Sequence, residues 1–596
     1  MPHLLIIGGL SMDTHRFKKQ TINSAGGAGL YTALAARRSG CKVSMVSPIP
    51  DQLSEFLKPL EENLEAWFGP FVTVDELPHL EIVHEGDKAA YLKLNVSEEE
   101  RLKPSALPQD LSQYAGVHIT SLGKVEQQLT FSDACQARGA KMISSGSYIH
   151  SIEENPDMVH ALIERTDVFF LNEEEAAGLF GSYGKALTKP GKLMFITRGT
   201  HGAIVIQGDY RTELPALPAK LLDPTGARDT FCGATLFNLL QGMHPILAAR
   251  KAMALASAQI EQIGPAALLL NQDAPNIPPD ERVRIDEKQV ERISHVIKKI
   301  PEAQVFNFVS DYYPPIDHPA ALDFFFAQTL QQFSFWEANH GRYVFPLIAT
   351  IDGHECKGST YLSYAFMRPL EDDPGFYTPI RQANTTREET LALFKADDGS
   401  DPMPALDLRL SKAQDYGNDM LCLGLTPQAI IEQSNRSSNP LKTFISILDH
   451  IGGYKEDPFR KKTNLLALIL KERPEQFLAI PEHEEIQPVI DYHVMRFCLR
   501  TGLVEIIDPA LREKIAEREL VSTEDEWAIR FTCYVAIQKL IEFSGLSMGA
   551  VDNIAFNYNR KHCPEMSVPI CEKCAIDPAC DHRIDLFQPV IRTTFY

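Results

Sequence analysis

No run of the 596 residues approaches 18 consecutive apolar side chains, so no membrane-spanning helix is expected. Leu4 to Leu10 is apolar but short, with no basic start or cleavage site, and reads as a first buried strand instead of a secretion signal. Cysteine is scarce. Seven of the 11 are scattered singly, which argues against a disulfide framework and for a reducing, cytoplasmic setting. Positive charge is short as well: residues 1–270 carry 24 basic and 30 acidic side chains and the remainder 34 and 49, so the halves sit near −6 and −15. Such a surface repels phosphate backbones, which makes nucleic acid an unexpected partner. The second half shows no internal repeat.

What is present begins with length, which suffices for two domains or more with their own cores. The most informative stretch is Asp223-Pro224-Thr225-Gly226-Ala227-Arg228-Asp229-Thr230-Phe231. Pro224 cannot lie in a helix interior, Thr225 can cap, and an apolar helical run follows. The helix start should present backbone N–H groups from Gly226 to Asp229, a good seat for an anion. An Asp fixed there can take a proton from a hydroxyl as it attacks a γ-phosphoryl group; the plainer reading is an ordinary first-turn Asp. The stretch resembles the signature of the PfkB (ribokinase-like) family of sugar and nucleoside kinases, with Arg228 replacing its last Gly. The resemblance implies Asp229 as catalytic base, Gly226, Ala227 and Arg228 as the phosphate-binding anion hole, and ATP with Mg²⁺ as cofactors.

Further matches follow in the family's order. Asp13 and the pair Gly26-Gly27 correspond to its sugar-contacting motif, although Tyr31 stands near where an Asn often follows. Asn172 and Glu175 match its Asn-x-x-Glu motif, implying a hold on Mg²⁺; Thr197, Gly199 and Gly202 match its nucleotide loop, and Ala256–Gly264 the adenine side. Strands expected at 4–9, 42–48, 116–121, 141–144, 168–171, 193–197 and 203–207 alternate with helices. That pattern predicts a mainly parallel sheet with helices on both faces. Ser11, Met12 and Asp13 read as a polar turn, and Phe71 to Leu94 as a small lid sheet. Residues 1–270 are thus expected to be a ribokinase-like α/β domain.

Residues 271–285, rich in proline, read as a linker, and 286–596 as a mainly α domain. Its end carries Cys563-x7-Cys571-x2-Cys574-x5-Cys580, four thiols able to converge on one zinc or one [4Fe–4S] cluster. The order is similar to the cluster loop of endonuclease III-type glycosylases, which implies iron–sulfur, with zinc the alternative. Asp491 opens an amphipathic helix, with His493 and Arg496 on its first turn, and is a cap on the plain reading. The stretch resembles the Asp-bearing helix start of helix-hairpin-helix glycosylases, and more closely that of the queuosine salvage glycosylase family. The second likeness includes Asp323–Leu330, Phe333–Trp336, Gly353–Gly358, Ser400–Pro404 and Lys461-Lys462. It implies Asp491 as the carboxylate that assists N-glycosidic cleavage, and Phe335 and Trp336 are placed to stack on a base, although an aromatic run is more often core.

No Gly-x-Gly hairpin for gripping DNA is present, and Glu482-His483-Glu484-Glu485 precede Asp491, so a small nucleoside, nucleotide or sugar is the expected partner. The combined expectation is a bifunctional salvage enzyme, with either step first, the oligomeric state open to a homodimer, and no membrane partner. Two alternatives stand: an inactive kinase fold serving an iron–sulfur repair domain, and a sugar kinase with a metal-stapled regulatory domain.

Overall fold

The computed structural model describes residues 1–17, 20–85, 88–94, 101–300 and 305–596. Among these, no helix is long and apolar enough to cross a membrane. The chain divides into two compact units, Met1–Pro278 and Pro279–Tyr596.

In the first unit, the apolar runs form a nine-stranded sheet. From one edge to the other it runs Tyr210–Leu214, Ala203–Gln207, Leu193–Thr197, Val168–Asn172, Ile143–Gly146, Gly116–Ile119, His3–Ile7, Lys42–Val46 and Ala66–Phe68. Eight strands run in one direction; Ala203–Gln207 alone opposes them, antiparallel to both neighbours. Leu4 to Ile7 are wholly buried, as expected where helices cover both faces and a strand has no polar side. The Ala28–Ser39 helix packs on Ala227–Leu240, and Gly233 makes this possible: a Cβ there would lie 2.2 Å from the Thr32 carbonyl.

A second sheet of four strands, in the order Gln20–Gly26, Ser11–Phe17, His79–Glu85 and Lys88–Leu94, forms the lid. Its last two strands, His79–Glu85 and Lys88–Leu94, lie within the predicted 71–94 stretch, of which residues 86 and 87 lie outside the described residues. The polar turn expected at Ser11–Asp13 is instead the start of a lid strand, paired with Ser24–Gly26.

The second unit is mainly helical with three two-stranded sheets. One of them corrects the expected extent of the linker: Val283–Ile285 pairs with Val504–Ile506, so its last three residues are a strand. Lys461–Glu472, Tyr492–Thr501, Thr523–Ser544 and Met548–Asn557 are the helices that shape the site below.

Candidate functional site

The signature turn behaves as its composition dictates. Asp223, fully buried, accepts N–H groups from Thr225 (2.9 Å) and Gly264 (2.9 Å) and so closes the turn. Gly226 adopts φ 74°, and a Cβ there would meet the Tyr31 ring at 2.3 Å, so both backbone and space require glycine. The Ala227–Leu240 helix begins at this point and carries Asp229 in its first turn. Ala227 N–H is drawn back to the Pro224 carbonyl (3.3 Å). Burial raises the Asp229 pKa, and the neighbouring Arg228 opposes that rise.

Arg228 faces Glu175. Its Nη1 donates to Glu175 Oε1 (2.5 Å) and to the Ser147 carbonyl (3.3 Å), while Nε lies 3.9 Å from Asp229 Oδ1. Glu175 also closes a capping box: Asn172 N–H donates to Glu175 Oε2 (2.8 Å), and Glu175 N–H to Asn172 Oδ1 (2.8 Å). Burial raises the Glu175 pKa, against the pull of Arg228. Asn172 and Glu175 offer the hard oxygen donors that Mg²⁺ takes. In this arrangement, however, both Glu175 oxygens are engaged and a guanidinium stands where a cation would, so the residues do not fit Mg²⁺ at Glu175.

Asp13 is buried, and neither of its carboxylate oxygens makes a hydrogen bond. Burial pushes its pKa up to about 7, and the charge of Asp223 adds to the rise. An orphan buried carboxylate awaits a donor such as a substrate hydroxyl. Gly26 makes room for it, since a Cβ at Gly26 would sit 1.8 Å from Asp13 Oδ2, and Gly27 takes φ 98° where the next helix begins. Thr197 ends its strand, Gly199 opens a short 3₁₀ turn with φ 53°, and Gly202 (φ 86°) lies against the Leu214 carbonyl, leaving no room for a side chain.

In the second unit, a cavity of about 390 Å³ gathers Asp491, Asp552, Lys461 and His493 beneath Tyr312, Phe335, Tyr492 and Phe556. Asp491 caps its helix through Oδ1, accepting from His493 N–H (2.8 Å) and Val494 N–H (3.0 Å). Asp552, on the facing helix, is pushed up to about 7 by burial and by Asp491, with Lys461 opposing. Burial likewise lowers the Lys461 pKa, which the two aspartates counteract. Buried Arg530 positions the set: it clamps Asp457 with two bonds of 2.8 Å and donates to the Ile490 carbonyl (3.1 Å), beside Asp491. Asp457 in turn accepts the Lys461 N–H (2.8 Å).

Phe335 lines this cavity, but Trp336 does not. Successive strand residues face opposite ways, so Trp336 packs with Tyr343, Phe587 and Val590, and Arg592 lies over its ring. Arg496 is also turned away, bonded to Asn559, Glu565 and Gln588. Asp552 had no signal in the sequence, because it sits inside a helix with no cap or motif around it.

Cys563, Cys571, Cys574 and Cys580 line one small pocket together with Tyr558, Asp577 and His582. Arg500 Nη1 donates to Cys563 Sγ (3.2 Å) and His582 N–H to Cys580 Sγ (3.4 Å), donors that favour thiolates. Among the described residues, no three of these sulfurs lie within 4.8 Å of one another, although Cys571, Asp577 and His582 do. Four thiolates on one Zn²⁺, with bonds of about 2.3 Å, would stand about 3.8 Å apart. The four thiols form a donor set for one metal centre.

Residues 4–272 match the family model described as pfkB family carbohydrate kinase. The chain is 27% identical over 253 residues to a cytidine kinase of Thermococcus kodakarensis, covering 41% of this chain and 90% of that one. It is 26% identical over 255 residues to a ribokinase of Bacillus subtilis, covering 40% and 82%. Among solved structures it is similar to a Burkholderia thailandensis nucleoside kinase in complex with inosine, with 18% identity, a TM-score of 0.38, and coverage of 46% and 94%. Residues 4–272 thus form a ribokinase-like α/β domain that is similar to the pfkB family carbohydrate kinases.

Proposed function

We propose that the chain joins phosphorylation of a nucleoside or sugar hydroxyl, in residues 4–272, to hydrolysis of the N-glycosidic bond of a modified nucleoside or nucleotide, in residues 286–596. The similarity to cytidine kinase and ribokinase supports the acceptor class. In the first reaction, Asp13 accepts a substrate hydroxyl in the space that Gly26 and Gly27 leave. Asp229 takes the proton of the attacking hydroxyl, while the helix start from Gly226 to Arg228 holds the transferring phosphoryl group. Thr197, Gly199 and Gly202 would hold ATP, which would bring its own Mg²⁺. Arg228 adds a fixed positive charge to the anion hole, the role an arginine fulfils at other phosphoryl-transfer sites.

The observation that carries the second reaction is the meeting of Asp491, Asp552 and Lys461 in a cavity walled by aromatic rings. Breaking the N-glycosidic bond leaves its electron pair on the base and positive charge on the sugar. The Asp491 carboxylate faces that charge and orients the attacking water, and Asp552 holds the proton that passes to the departing base. Phe335 stacks on the base. The products are free base and a sugar bearing the water's hydroxyl, with ribose 5-phosphate as the sugar if phosphorylation comes first. The four cysteines hold a structural [4Fe–4S] cluster, with zinc the alternative; when bound, it supplies a cross-link between the C-terminal loop and the core through Arg500.

A second reading, in which the kinase site is inactive and only the helical unit is catalytic, is favoured by the Arg228–Glu175 bond. Transfer of label from γ-labelled ATP to a nucleoside panel separates the two: a labelled nucleoside supports the bifunctional reading, and no label on any acceptor leaves only the second.

A further inference from the structure

Beneath the lid, three side chains converge that none of the chemistry above employs together. His15 and His84 stand on neighbouring lid strands, and Asp223 on the turn that leads into the Ala227–Leu240 helix. His15 Nδ1 lies 3.1 Å from His84 Nε2 and 3.5 Å from Asp223 Oδ2, and His84 Nε2 lies 3.9 Å from Asp223 Oδ1. Bonds of about 2.0–2.1 Å to a tetrahedral ion place its ligands roughly 3.3–3.4 Å apart, and the three distances bracket that value. The side chains are 0%, 5% and 0% exposed, so water does not compete for them.

The surroundings favour coordination over a simple hydrogen-bond chain. His15 Nε2 is engaged by Ser24 Oγ (2.9 Å), which directs Nδ1 toward the cluster and fixes the ring as the outer partners of metal-bound histidines do. Phe17 stacks on His84 with centroids 4.4 Å apart and holds its plane. Asp223 is anchored through both oxygens by backbone N–H groups, which donate no counter-charge. Asp13, buried without a hydrogen bond, feels the same charge. Two histidines and a carboxylate in an apolar setting are a donor set suited to zinc and its neighbours.

We propose that His15, His84 and Asp223 bind a divalent transition-metal ion of the zinc type, which clasps the lid sheet to the turn preceding Asp229. The ion would lie apart from the phosphates and thus be distinct from the Mg²⁺ carried by ATP. Its ligands come from two lid strands and one core turn, so binding favours the closed arrangement of this unit.

The test uses the full chain stripped of metal by a chelator and titrated with Zn²⁺ alone against a chromophoric competitor. Because the C-terminal thiols also take zinc, a Cys571→Ser/Cys574→Ser variant is titrated beside the wild type. That variant is expected to keep one tight site, and adding His84→Gln or His15→Gln to weaken it at least about 100-fold, more than loss of an outer partner costs. Circular dichroism shows whether each variant is folded. X-ray absorption at the zinc edge is read on the Cys571→Ser/Cys574→Ser variant with His582→Ala added, since Cys571, Asp577 and His582 also offer nitrogen and oxygen to zinc. Nitrogen and oxygen neighbours at about 2.0–2.1 Å, alongside any sulfur, support the site; sulfur alone at about 2.3 Å overturns it. Equal zinc affinity with and without His84→Gln, both folded, overturns it too.

Discussion

Arg228 Nη1 and Glu175 Oε1 are 2.5 Å apart, joining the first turn of the Ala227–Leu240 helix to the acidic cap of Glu173–Phe180. The contact uses a residue that departs from the family signature, and it neutralises the carboxylate that would otherwise call for a cation. Arg228→Gly should lower phosphoryl transfer about 100-fold, in line with the loss of one preorganised charge at a transition state. It should also make turnover depend more steeply on Mg²⁺, because Glu175 is released. Turnover measured across a Mg²⁺ series checks both; a faster Arg228→Gly enzyme would mean that Arg228 blocks the site.

Asp229→Asn removes the proposed base and should slow phosphoryl transfer by about 10²–10⁴-fold, leaving base release unchanged. The pH dependence has a definite sign. The base works ionised and burial raises its pKa, so the rate is lost as pH falls through a value above the usual carboxylate range. A kinase rate flat down to pH 4 would count against Asp229.

In the helical unit, Asp491→Asn should abolish base release while the variant stays folded. Asp552 is active when protonated and its pKa is about 7, so base release should fall as pH rises through about 7, and Asp552→Asn should remove that alkaline limb along with most of the rate. A rate that climbs through pH 8 contradicts this role.

Asp457 and Arg530 form a fully buried pair behind the cavity. Asp457→Asn removes the bidentate partner of the guanidinium and leaves only Glu526, 3.7 Å away, beside it; breaking a buried pair typically costs about 3–5 kcal/mol. A large drop in the denaturant midpoint of the helical unit should follow; an unchanged midpoint would show that the pair does not hold the Lys461 and Asp491 loops.

The large sheet was legible because its strands are continuous apolar runs: Leu193–Thr197 and Ala203–Gln207 fall where the sequence places them. The first lid strand was not. Ser11–Phe17 is polar, with side chains facing the site instead of a core, so composition marks it as a turn. The turn into the Ala227–Leu240 helix was readable from Pro224 and Gly226, whereas the Arg228–Glu175 contact depends on residues far apart in the chain. Asp491 was visible as a helix cap. Asp552 was not, since only the packing of its helix brings it to the same cavity. Trp336 was misplaced because its neighbour Phe335 takes the cavity side and strand geometry turns the next residue away. Accordingly, Phe335→Ala should raise KM for base release and Trp336→Ala should not.

The central claim is that one chain performs both reactions, and the direct test is anaerobic incubation of the purified protein with ATP, Mg²⁺ and a panel of ordinary and modified nucleosides, followed by mass analysis. The account predicts ADP together with a free base and a phosphorylated sugar from at least one nucleoside, both lost in an Asp229→Asn/Asp491→Asn double variant. ADP with only an intact phosphorylated nucleoside would contradict the second activity, and no turnover of any nucleoside would contradict both.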